Sequence, residues 1–96
     1  MSKAGIYRNL TISYATVGKY DDALKAADSA SEMNKESSSD PDFMYAVVKT
    51  DAALGDFVAA QTALKVLAAN VPEVRNTPEF ADAANFLINE ADKKVK

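Results

Sequence analysis

The chain contains no cysteine and no histidine, and only three glycines among 96 residues. Without cysteine there is neither a disulfide framework nor thiol chemistry, which excludes redox function of that kind. Without histidine the commonest general base is missing. Gly5, Gly18 and Gly55 are too few and too scattered to build a phosphate-cradling loop, and no serine stands in a strand-to-helix elbow. No run of about 18 apolar residues is present to cross a bilayer as a helix, and the N-terminus lacks the apolar core of a signal peptide. Clustered positive charge is scarce too. Eleven Lys and Arg stand against fourteen Asp and Glu, and the net charge of −3 argues against nucleic acid as the partner, since phosphate recognition needs grouped cations. Lys93, Lys94 and Lys96 are grouped, but they read as cations complementing the C-terminal end of a helix.

These absences predict no cofactor, no metal and no membrane partner, and the chain as given reads as cytoplasmic. A signal or further repeats upstream of Met1-Ser2 lie outside that expectation. Carboxylates occur in pairs, Asp21 with Asp22, Asp40 with Asp42 and Glu90 with Asp92, which by composition alone suit acid–base or cation chemistry. Each pair has a simpler use at a helix start or on a solvated face. The chain is therefore expected not to be an enzyme, but one small domain or a fragment of a longer repeat array.

What the sequence does have is a repeat. Apolar residues at Ile6, Tyr7, Leu10, Tyr14 and Val17 recur at helical spacing and stop at Gly18. A second series, Tyr20, Ala23, Leu24, Ala27, Ala30 and Met33, follows at the same spacing, so two helices are expected to pack as an antiparallel hairpin about Gly18. Glycine suits that turn because a helix often ends on a left-handed residue, which a side chain disfavours. The alanines are also the best helix formers, so Ala23, Ala27 and Ala30 serve propensity as well as close approach.

The polar run from Asn34 to Ser39 then reads as a linker. Asp40 and Pro41 mark an N-cap and a first helical position for a third helix carrying Phe43, Met44, Val47, Val48 and Leu54. A fourth follows Gly55 with Phe57, Ala60, Ala63, Leu64 and Leu67, and Pro72 closes the unit. Overlaying the two units places Tyr7 on Met44, Leu10 on Val47, Gly18 on Gly55, Tyr20 on Phe57 and Ala23 on Ala60, a constant offset of 37. Thr77-Pro78-Glu79 opens a fifth helix with Phe80, Ala83, Ala84, Leu87, Ile88 and Ala91, and no third turn glycine follows it.

Tyr7-x2-Leu10-Thr11-x2-Tyr14, then Gly18-x-Tyr20-x2-Ala23, resembles the tetratricopeptide repeat, whose signature opens W-x2-L-G-x2-Y. Its period is 34, so three extra residues are expected in the linker at Ser37–Ser39. The second copy departs at Val48, where a small residue is usual, and at Asp51, where an aromatic is usual. The resemblance implies an all-α, right-handed array of helical hairpins within one domain. Repeat 1 would occupy 4–37, repeat 2 would occupy 41–74, and a capping helix 77–95 would cover the last apolar face.

The resemblance also implies a concave groove lined by the first helix of each hairpin. Its positions would be Arg8, Ile12, Ala15 and Thr16, then Asp42, Tyr45, Lys49 and Ala52. Some members clamp a C-terminal carboxylate with Lys, Arg and Asn; Arg8 fits one such place, but Ile12 and Ala46 stand where asparagines are needed. The implied function is a protein-interaction module holding a partner peptide, with Arg8 and Lys49 as two cations favouring an acidic one. The alternative is a structural element that self-associates as a homodimer through its open repeat faces.

Overall fold

A computed structural model describes residues 2–95 of the chain. Five α-helices run in order, α1 Lys3–Thr16, α2 Tyr20–Met33, α3 Pro41–Ala53, α4 Phe57–Asn70 and α5 Pro78–Val95, with no strand among the described residues. The expected all-α, five-helix architecture is therefore observed. None of these helices is long and apolar enough to cross a membrane.

The helix starts follow from their caps. Asp40 accepts from the backbone N–H of Phe43 at 3.4 Å, and Asp56 from that of Ala59 at 3.1 Å. Thr77 does the same for Phe80 at 3.4 Å, so each satisfies an amide that the helix itself leaves unpaired. Lys19 before α2 makes no side-chain cap, and Asp21 and Asp22 offset the exposed end of the helix dipole instead. Both hairpin turns rest on a left-handed glycine, Gly18 at φ 82° and Gly55 at φ 87°. At such angles a Cβ would be strained.

The period of 37 extends to the backbone. Lys19 N–H donates to the Tyr14 carbonyl at 2.8 Å, and Asp56 N–H to that of Asp51 at 2.8 Å. Gly18 donates to Ala15 at 3.2 Å and Gly55 to Ala52 at 3.1 Å. The linker is not the plain break that its serines imply. Lys35–Ser39 forms a 3-10 turn, and Pro72–Asn76 forms another in the same register. One residue in each is buried against the core, Ser37 in the first and Val74 in the second. Pro72 thus opens this second turn rather than simply ending α4. The Asn70 amide ties the end of α4 to the first turn by donating to Ser38 at 3.2 Å.

Helix α3 is the centre of the molecule, in contact with all four other helices. It buries Phe43, Met44, Ala46, Val48 and Ala52, along with the polar Thr50 and Asp51. Ala23 and Ala60, the repeated alanines after each turn, are fully covered, and so are Thr11 and Val48. Backbones therefore approach closely where the repeat places small residues. Helix α5 seats Ala83 and Leu87 on this core.

Some apolar positions read from the spacing are instead exposed: Ile6, Val17, Leu24, Met33, Leu54 and Ile88. Val17 and Leu54 are the last residues before the turn glycines, and Met33 is the last of α2, where a chain reversal leaves no neighbour above them. Ile6 and Ile88 lie on α1 and α5, the flanking helices, each packed mainly on two others.

A cleft between helices α1, α3 and α5

Because α1 and α5 both pack on α3, three helices stand side by side, and a cleft of about 670 Å3 runs along them. Arg8, Ile12, Ala15 and Thr16 from α1 line it, together with Asp42, Tyr45 and Lys49 from α3. Seven of the eight expected groove positions thus share one surface. Ala52 does not, because α3 turns it inward and it is fully buried. Five further lining residues lie outside the expected set: Asn9, Ser13, Ala46, Tyr20 and Phe86. The first three neighbour expected positions along the same helix. Tyr20 belongs by sequence to the repeat framework alone. Phe86 carries a signal, since Ile12, Lys49 and Phe86 are successive steps of 37 and the period applied a second time reaches it.

The electrostatics differ from a cleft with two free cations. The Arg8 guanidinium donates from Nε to one oxygen of the Asp40 carboxylate and from Nη2 to the other, a two-point pairing stronger than a single bond. Its Nη1 donates to Asn9 at 3.1 Å, and its Nη2 lies 3.7 Å from Asp42. The hydrogen bonds to Asp40 raise the Arg8 pKa above the usual arginine range. Partial burial opposes that rise, and the charges of Asp40 and Asp42 add to it. Arg8 therefore ties α1 to the cap of α3, and its charge is already answered. One cation against two carboxylates leaves this end of the cleft with one negative charge. Lys49 is exposed and makes no ion pair among the described residues. The expected preference for acidic partners thus loses one of its two supports.

The residues of the repeat pattern divide by depth. Ala23 and Ala60 are buried; Tyr7, Leu10, Tyr14 and Phe57 are half-buried; Pro72 is exposed. Tyr7, Leu10 and Tyr14 border a second, smaller hollow of about 260 Å3 with Ala26 of α2. Outside both clefts lies Asp51, 8% exposed, at the register where the first unit has Tyr14. Its burial, then the charges of Asp56 and Asp28, push its carboxyl up to about 6. Among the described residues no three or more acidic side chains are grouped so as to hold a metal ion. Neither a family model, nor a curated protein, nor a solved structure matches the chain.

Proposed function

We propose that this chain is a non-catalytic protein-interaction module that holds a peptide segment of another protein in the cleft between α1, α3 and α5. The observation that carries this reading is the gathering of Ile12, Tyr45, Tyr20 and Phe86 with uncompensated charges around one open hollow of about 670 Å3. Apolar walls with a few polar groups are what a binding site needs, because burial supplies the affinity and the charges set the register. Aromatic side chains further favour binding because they bury much area while losing few rotamers. The resemblance to tetratricopeptide repeats, with its groove on the same helices, supports the same surface.

The test is capture of a partner followed by titration against variants. Tyr45→Ala is expected to weaken binding by about 1 kcal/mol or more, with circular dichroism reporting an intact fold. A partner that binds a folded Tyr45→Ala, Lys49→Ala double variant as tightly as wild type rules the cleft out.

A second reading has its own observation. Ile6 on α1 and Ile88 on α5 are exposed at 46% and 55%, on the two flanking helices of the row. Self-association through these faces is the alternative function, and sedimentation separates the two. A concentration-independent dimer broken by Ile6→Glu or Ile88→Glu supports the structural role.

A further inference from the structure

We infer that the occupant of the cleft is an extended peptide segment with an apolar centre, a basic side chain at the Asp42 end and an acidic one at the Lys49 end. This rests on the cleft being the binding site. The charge distribution carries it. Asp40 and Asp42 outweigh Arg8 at one end, so a single negative charge faces the cleft there, most of it on the well-exposed Asp42 carboxylate. Seven residues further along α3, Lys49 presents a positive charge with no ion-pair partner among the described residues. Two helical turns separate the two ends by about 10 Å. Ile12 and Tyr45 also line the cleft and give the centre of the segment an apolar wall.

A purely acidic segment meets repulsion at Asp42, and a purely basic one meets it at Lys49, so complementarity selects a segment carrying one of each. The spacing is also defined. An extended chain covers about 10 Å in about three residues, so a base and an acid about three positions apart in such a segment reach Asp42 and Lys49 together, whereas a helical segment needs them about seven apart.

A library of random peptides displayed on phage, selected on the wild-type protein, tests this directly. Enriched peptides are expected to carry an acid and a base about three residues apart, flanking an apolar or aromatic residue. Lys49→Glu, at an exposed position that leaves the fold intact, is expected to weaken them about fivefold. Changing the acid of the peptide to lysine is expected to restore binding to that variant. Peptides that depend on Tyr45 but show no charge order, or that bind Lys49→Glu equally well, overturn the inference and leave the cleft as the site. Failure to enrich any peptide, or peptides indifferent to Tyr45→Ala, overturns both.

Discussion

Replacing Asp51 by asparagine should stabilise the protein at neutral pH, and about half of that gain should vanish by pH 5. Asp51 is 8% exposed on the central helix, pairs with no cation among the described residues, and has Asp56 and Asp28 as its charged neighbours. Folding therefore favours its neutral form. Its folded pKa of about 6 lies above the ordinary 3.8, so the unfolded chain gives up this proton more readily than the folded one. With that sign the carboxyl costs nothing below about pH 3.8, and stability falls as pH rises towards 6. Above that the full penalty persists. The gap between the two values corresponds to about 3 kcal/mol. Lowering the pH from 7.5 to 5 recovers about half of it. Asparagine keeps the volume and the backbone bond of this residue without the charge. Urea unfolding of both proteins at pH 7.5 and pH 5 measures the effect, because other carboxylates contribute equally to each and cancel in the difference. Asp51→Asn should exceed wild type by about 2–3 kcal/mol at pH 7.5 and by about half that at pH 5. An equal pH dependence in both proteins, or a variant less stable than wild type at pH 7.5, would refute the buried and unpaired carboxylate.

The neighbouring Thr50 hydroxyl is buried at 1% exposure without a hydrogen-bond partner, whereas Thr11 and Thr16 bond back to the carbonyls of Tyr7 and Ile12 at 2.8 and 2.7 Å. Thr50→Val should therefore raise stability by about 1 kcal/mol, since it removes an unanswered polar group at constant volume, while Thr11→Val should bring no gain; a destabilised Thr50→Val would show that its hydroxyl is satisfied. Ala23→Leu forces methylenes into a fully covered site and should lower stability by about 1–3 kcal/mol. If the Ala23→Leu protein melts at or above the wild-type temperature, the close packing of α1 on α2 is denied.

The fold was legible wherever local chemistry acts alone. Asp40-Pro41 and Thr77-Pro78 mark helix starts through groups within three residues of each other, and Gly18 and Gly55 mark turns through their own backbone freedom. The 3-10 turn at Lys35–Ser39 was not legible, because serines read as a linker and only its counterpart at Pro72–Asn76 reveals a structured step of the period. The central place of α3 was hidden as well. Spacing reports one apolar stripe per helix, but a helix packed by four neighbours buries residues beyond its stripe, which is how Thr50 and Asp51 came to be covered.

Asp40 shows why the charge of the cleft resisted a reading by position. Along the chain it is an N-cap, and the cap accounts for it completely: one oxygen accepts from Phe43. In space the same carboxylate receives Arg8 from 32 residues away, so the linker, the start of α3 and the wall of the cleft share a single group. Repeat comparison assigns a side chain to a surface through the direction of its Cβ, which it does correctly for Arg8. It carries no information on which neighbour that side chain then finds, because ion pairs form between registers that the period does not relate. Arg8 and Asp40 are such a pair, since Arg8 stands in register with Tyr45 rather than with Asp40. A groove read from a repeat pattern is thus a statement about shape, and its charge must be taken from the pairs that close across it. Here those pairs turn two expected cations into one cation and one anion about 10 Å apart.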